Sequence, residues 1–136
     1  MGIAIRRVVE NYKTNEFPTV QQQIEDAAGM PVLVEANWET LATNDNLAAQ
    51  YPEFFSKVYF QPIIRALKAV AIDDMGKEAL KNGLKKIIIT DSRKHYSPSG
   101  FSFDEGVLTL DHESDSNVDS IDERANAIQK LLETKL

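Results

Sequence analysis

Apolar residues near the amino end of the chain recur at the three- and four-residue spacing of an α-helix. A first apolar stripe is followed by Phe17 and Pro18, and a second is followed by Gly29, which suits a left-handed helix cap. The inward-facing residues of the two stripes are Ile5, Val8, Val9 and Tyr12, then Val20, Ile24 and Ala27. The pattern therefore predicts two helices before Gly29.

After Pro31 the period changes from helical spacing to alternation. Between Val32 and Leu41, apolar side chains at the even positions would lie on one side of a sheet and the remaining side chains on the other. This predicts a strand over 32–41 with one covered face. Trp38 is predicted to anchor the core.

The longest apolar stretch runs from Leu47 to Ile72 and contains Pro52 and Pro62, each of which lacks a backbone N–H. Its apolar residues keep helical spacing on both sides of the second proline. The stretch predicts a long kinked helix, or two helices that meet near Gln61, at the centre of the core.

A further helix is predicted to begin at Asp73 or Asp74, either of which can cap it, and to end at Gly83. The next apolar run, 87–89, consists of three isoleucines. A run so rich in β-branched residues favours a strand at the centre of a sheet over one at its edge.

Two short alternating segments, 101–103 and 107–110, flank a turn that contains Gly106, which predicts a β-hairpin. A last apolar stripe over 121–136 predicts a C-terminal helix. The order is helix, helix, strand, helix, helix, three strands, helix. We expect an α+β fold, one domain over residues 1–136, whose mixed or antiparallel sheet of about four strands is covered by the central and C-terminal helices.

Composition narrows the class of protein more than it narrows the fold. The chain has 136 residues, 43% of them hydrophobic, and no cysteine, so it excludes disulfide scaffolds, thiol catalysis and cysteine-ligated metals. Arg6 and Arg7 interrupt the apolar stretch in which a secretion signal would need an uncharged core, and no apolar run approaches about 20 residues. We expect a soluble, cytoplasmic protein with no membrane partner.

Charge is distributed unevenly along the chain. The formal net charge is −6, so binding to nucleic acid is not expected. Segment 57–94 carries nine basic and four acidic residues, whereas segment 104–123 carries eight acidic residues and neither lysine nor arginine. Surfaces of opposite charge favour association with a basic partner protein or with a second copy of the chain.

Segment 111–122 has oxygen-bearing side chains at alternate positions, which is the ligand spacing of calcium-binding loops. It resembles the EF-hand loop, and the resemblance implies a divalent-cation site with the ligands Asp111, Glu113, Asp115, Asn117, Asp119 and Asp122. The pattern departs from that family at Ser116, where the loop glycine would stand, at Asp122, where glutamate is usual, and in the predicted strand before the loop. The alternative is a solvated loop whose acids complement the positive end of the last helix.

A second candidate site is the basic region 81–96, which could bind phosphate or a nucleotide. Its cations are Lys81, Lys85, Lys86, Arg93 and Lys94. Tyr96 is available to stack on a base. The alternative is that these residues are the solvated ends of a helix and of strands.

Motifs for catalysis do not accompany these segments. The chain has two scattered histidines, no nucleophile-elbow pattern around the serine-rich loop 97–100, and no glycine motif for a dinucleotide or phosphate. We expect no catalysis and no cofactor. The sequence favours a non-catalytic protein-binding or self-associating module with an acidic docking surface. The alternatives are a divalent-metal-binding or hydrolytic domain that uses segment 111–122, and a phosphate or nucleotide binder that uses region 81–96.

Overall fold

Helices and strands follow one another in nearly the predicted order in a computed structural model that describes residues 2–136. The α-helices are α1 (Ile3–Asn11), α2 (Phe17–Ala28), α3 (Trp38–Leu41), α4 (Tyr51–Phe55), α5 (Gln61–Val70), α6 (Asp74–Gly83) and α7 (Ile121–Lys135). The strands are β1 (Leu33–Ala36), β2 (Lys86–Thr90), β3 (Phe101–Asp104) and β4 (Val107–Asp111). Two π-helical segments, Tyr12–Glu16 and Ser56–Phe60, and two 3-10 turns, Asp45–Gln50 and Pro98–Gly100, complete the helical structure.

The four strands form one mixed sheet in the order β1-β2-β4-β3. β1, β2 and β4 run parallel, and β3 pairs with β4 as an antiparallel hairpin. The α+β class, the mixed four-stranded sheet and the central position of the isoleucine strand are therefore confirmed. The hairpin turn contains Gly106 at φ 82°, in the left-handed region that glycine enters without steric cost.

One face of the sheet is buried in the hydrophobic core. Alternate residues of the strands point into that core, and they are Ile87, Ile89, Phe103, Leu108 and Leu110. The same core contains the inward faces of α5 and α7, with Ile63, Leu67, Ile128 and Leu132. On the other face Lys86 and Glu35 form an ion pair at 3.2 Å, and Leu33 is 57% exposed. The prediction of one covered face is confirmed.

Each π-helical segment ends two residues before a proline. In the second, the N–H of Gln61 bonds to the carbonyl of Ser56, five residues back, and Pro62 has no N–H. The same arrangement precedes Pro18. Widening one turn lets the helix continue through the proline, but the carbonyl of Lys57 is left without an intrahelical donor. The predicted meeting of two helices near Gln61 is confirmed in this form.

The predicted strand over 32–41 is wrong in its second half. The ladder of β1 ends where the N–H of Asn37 donates to the carbonyl of Ile89 at 2.8 Å. The N–H and hydroxyl of Thr40 then both donate to the carbonyl of Asn37, at 3.0 and 2.8 Å, and close a helical turn. Side-chain-to-backbone bonds of this kind compete with strand pairing, and the alternation of apolar residues does not reveal them.

Trp38 belongs to an aromatic cluster that joins the first two helices to the central ones. Its ring centroid lies 5.7 Å from that of Tyr12, 5.5 Å from that of Phe17 and 5.4 Å from that of Phe55. Phe60 packs on the same group, with its centroid 5.5 Å from that of Phe17. Most of these pairs are tilted or edge-to-face, which are favourable aromatic geometries. Within residues 2–136, no helix is long and apolar enough to cross a membrane.

Candidate functional site

The sheet has a carboxyl edge and an amino edge because three of its strands run parallel. The carboxyl edge carries the loops that follow β1, β2 and β4, and ligands of open parallel sheets commonly bind at such an edge. The amino edge carries the end of α6, the β3–β4 turn and the end of α7. The predicted metal ligands lie near the carboxyl edge, whereas the predicted basic residues are divided between the two edges.

Two carboxylates at the carboxyl edge hold the loop after β2 in place. Asp91 and Asp111 are each 8% exposed. Asp111 accepts a hydrogen bond from the N–H of Ser92 at 2.8 Å and a second from the hydroxyl of the same residue. Asp91 accepts hydrogen bonds from the N–H and the ammonium group of Lys94 at 3.2 and 3.1 Å. Both carboxylates are satisfied by the chain itself.

Two further predicted metal ligands point towards the central helices instead of into the loop. Asp119 pairs with Lys57 at 2.9 Å, and the same ammonium group lies 3.2 Å from Glu53. Asp122 pairs with Arg65. These ion pairs are solvent-exposed, so each contributes little stability, but they direct the two carboxylates away from a common centre.

The remaining predicted ligands are spread along the segment. Glu113 accepts a hydrogen bond from the hydroxyl of Ser116 at 2.9 Å, and Asp115 is exposed. Asn117 adopts φ 51° and donates its side-chain amide to the carbonyl of Tyr96 at 2.6 Å. In the part of the chain that the structure describes, no group of three His, Asp or Glu side chains is arranged to hold a metal ion.

A cluster of buried polar side chains lies beneath segment 111–122. The hydroxyl of Tyr59 donates to the carbonyl of His112 at 2.6 Å and lies 2.9 Å from the hydroxyl of Ser114. Burial raises the pKa of Tyr59 above its ordinary value and lowers the pKa of His112. Arg124 opposes protonation of the imidazole, whereas Asp91 favours it. All of these side chains except Asp91 are at most 3% exposed, so this cluster of side chains has a structural role.

Arg124 on α7 is the residue that sequence reasoning missed. It is 1% exposed and donates to the carbonyls of Asn117, Val118 and Lys57 at 2.7, 2.8 and 3.1 Å. Burial lowers the pKa of its guanidinium group, although carboxylates nearby oppose that shift. Its position, three residues after Ile121 on the apolar stripe, was the available signal for burial.

The five predicted phosphate ligands do not share one surface. Lys85 and Lys86 lie at the amino edge, whereas Arg93 and Lys94 follow the carboxyl end of β2, a strand about 13 Å long. Lys81 lies on α6. Lys86 is engaged by Glu35 and Lys94 by Asp91. Phosphate binding by region 81–96 stays a prediction, and its five cations do not form a single patch that could hold the ligand.

An apolar recess opens at the amino edge. Within residues 2–136, six large hydrophobic side chains are exposed, and three of them line this recess: Ile72 (81%), Met75 (83%) and Leu136 (38%). Val70 and Ala79 lie among them, and the cavity measures about 340 Å³. Ile72 is the last residue of the apolar stretch that predicted the centre of the core, whereas Met75 lies outside every predicted apolar stripe.

The recess continues into a second cavity of about 610 Å³ that shares Ala79 and Leu136 with it. The second cavity runs past Gly83 to the β3–β4 turn, 103–106. Gly83 is so close to Leu136 that a Cβ placed on it would lie 2.4 Å from the leucine Cδ2. We call the two cavities together the amino-edge trough.

The rim of the trough is mostly acidic. Its lining includes four carboxylates and one ammonium group, contributed by Asp73, Asp104, Glu105, Glu133 and Lys135. Lys135 pairs with Asp104 at 3.0 Å, and Asp73 caps α6 by accepting from the N–H of Gly76 at 2.8 Å, as predicted.

Comparison with known proteins found no family model, no curated protein and no solved structure that matches this chain.

Proposed function

We propose that this chain is a non-catalytic binding module that holds a partner protein in the amino-edge trough. The observation that supports the proposal is the convergence of Ile72, Met75 and Leu136 on one recess. Burying a large aliphatic side chain is worth about 1.5–3 kcal/mol, so a partner that covers all three gains a substantial part of its affinity there. Contiguous exposed apolar surface with a polar rim is typical of protein-binding sites.

A protein fits the trough better than a small molecule does. Small-molecule sites enclose most of the ligand and converge a few polar groups on it. Here the charged groups lie at the rim and the apolar side chains that line the trough are exposed to solvent, an arrangement typical of an interface with an apolar centre. Met75 adds an unbranched side chain that can adapt to the shape of a partner.

The trough is also a more suitable docking surface than segment 111–122. Asp119 and Asp122 are paired with Lys57 and Arg65, so a basic partner would have to replace contacts that the chain already makes. We therefore propose that the partner docks at the acidic rim of the trough instead of at segment 111–122.

Site-specific photocrosslinking in living cells of the source organism tests this proposal. One variant carries p-benzoylphenylalanine in place of Met75, and the matched control carries it in place of Leu33, an exposed residue of β1. We expect a discrete cross-linked protein from position 75 and none from position 33. The added change Ile72→Ser should weaken that cross-link without changing the circular dichroism spectrum, because the side chain is 81% exposed. The same products from both positions, or none from position 75, would contradict the proposal.

A further inference from the structure

We infer that the element which docks in the amino-edge trough is a basic amphipathic helix of a different protein, and not a second copy of this chain. The inference rests on the proposed function and specifies its partner. Three features of the trough lead to it: its length, the row of residues along its floor and the charge of its rim.

The length of the trough matches about two turns of a helix. The trough follows α6 from Met75 to Gly83, which corresponds to about 12 Å of helix. A docked helix presents anchors at positions i, i+3 or i+4, and i+7 over that distance. The apolar walls contributed by Ile72 and Leu136 are placed to receive such anchors.

The floor of the trough suits the close approach of a second helix. Met75, Ala79 and Gly83 are spaced four residues apart on α6 and form one row along its surface. Rows of this spacing are the ones between which the side chains of a packed helix insert. Ala79 is small, so a docked helix can approach α6 closely at that position, whereas the side chain of Leu136 already lies against Gly83.

The charge of the rim selects a basic helix. Lys135 already compensates Asp104, and the other carboxylates of the lining are Asp73, Glu105 and Glu133. Lys85 is a further cation at this edge; its side-chain stem lies against the lining residue Gly106, but Lys85 itself does not line the trough. Lysine or arginine residues beside the apolar anchors of the partner would therefore meet carboxylates on both sides of the trough.

The same charges act against a second copy. A two-fold dimer brings the same surface patch of each subunit together. The acidic rims of the two copies, which include Asp73 and Glu133, would then face each other, in a chain whose net charge is already −6. Like charges brought together oppose association, so the acidic rim disfavours self-association through the trough.

The probe for the test is an 18-residue model helix with leucine at positions i, i+3, i+4 and i+7 and lysine at the flanking positions. A matched peptide carries glutamate in place of each lysine. We expect the lysine peptide to bind saturably by fluorescence anisotropy, more weakly as salt rises, and the glutamate peptide not to bind. Amide chemical shift changes should be confined to residues 70–83, 103–106 and 133–136.

Three variants locate the contact. Met75→Glu should weaken binding of the lysine peptide more than tenfold, because it places a charge at the apolar centre. Glu133→Lys should weaken it about three- to fivefold, the effect expected for an exposed charge. The matched control Glu39→Lys reverses another exposed acid, near the carboxyl edge, and should leave the affinity unchanged.

Several outcomes would overturn the inference. They are equal affinity for both peptides, unchanged binding to Met75→Glu, and a dimer in sedimentation equilibrium that Met75→Glu dissociates. The dimer would show that the occupant is a second copy, and the proposed docking function would stand. A specific photocrosslink at position 75 combined with no binding of the lysine peptide would overturn the inference of a basic helix. The proposed function would stand in that case. If neither the crosslink nor peptide binding is found, both the inference and the proposed function fail.

Discussion

Arg124 on α7 donates a hydrogen bond to the main-chain carbonyl of Lys57 at 3.1 Å, inside the π-helical turn of the central helix. That carbonyl lacks an intrahelical donor because Gln61 bonds to Ser56 and Pro62 has no N–H. The guanidinium group therefore repairs the defect that the proline introduces, and it also binds the loop carbonyls of Asn117 and Val118.

Removal of this cation should destabilise the fold strongly. Arg124→Ala leaves three carbonyls without their donor, and we expect the free energy of unfolding to fall by roughly 3 kcal/mol. Urea denaturation measures the change. Arg124→Lys should lose less, because one ammonium group can still reach part of the site. Lys130→Ala, an exposed change on the same helix, is the control, and equal losses in both alanine variants would contradict the prediction.

Two buried tyrosines should respond differently to loss of the hydroxyl. Tyr59→Phe removes contacts to His112 and Ser114 at 2.6 and 2.9 Å and should cost about 1–3 kcal/mol. In the described chain the hydroxyl of Tyr12 has no partner of normal geometry, and burial raises its pKa to about 12. Tyr12→Phe should therefore be neutral or stabilising by up to about 1 kcal/mol. Chemical denaturation of the two variants side by side tests the difference in sign.

Acid should destabilise the fold through His112. Burial lowers the pKa of this imidazole in the folded state, so the unfolded chain takes up the proton first as the pH falls through about 6.5. The resulting loss of stability is absent at higher pH and grows below that value. We expect the free energy of unfolding to fall less between pH 7.5 and 5.5 in His112→Phe than in the parent chain.

The phenyl ring of this variant can pack where the imidazole lies, 6.1 Å from the ring of Phe101. His95→Gln, which replaces the second histidine of the chain, is the control. If His112→Phe and the parent show parallel curves, the buried imidazole is not the origin of the effect.

Divalent cations should not stabilise the chain through segment 111–122. Binding there would require Asp119 and Asp122 to leave Lys57 and Arg65. We expect millimolar calcium or manganese to change the melting temperature by less than about 1 °C. A larger rise that is lost in Asp115→Asn would establish the metal site that the EF-hand spacing implies.

Local sequence patterns were sufficient to predict most of the helices and strands but little of the candidate site. Helical spacing located α2 and α7, and the isoleucine run located β2, because each pattern reports which side of an element is buried. The trough escaped prediction since Ile72 and Leu136 lie 64 positions apart in the chain and come to line one recess only when Leu136 lies against Gly83 at the end of α6.

By itself, the sequence determined the α+β class, the absence of cysteine, the position of the hairpin, the helix end at Gly29 and a helix start at Asp73 or Asp74. These features depend on the period of apolar residues and on the preferences of single residues such as glycine and aspartate. Only the tertiary structure decided that Asp119 meets Lys57 and that Arg124 is buried. The physical reason is that periodicity specifies which face of an element turns inward, whereas the partner across that face depends on how distant segments pack.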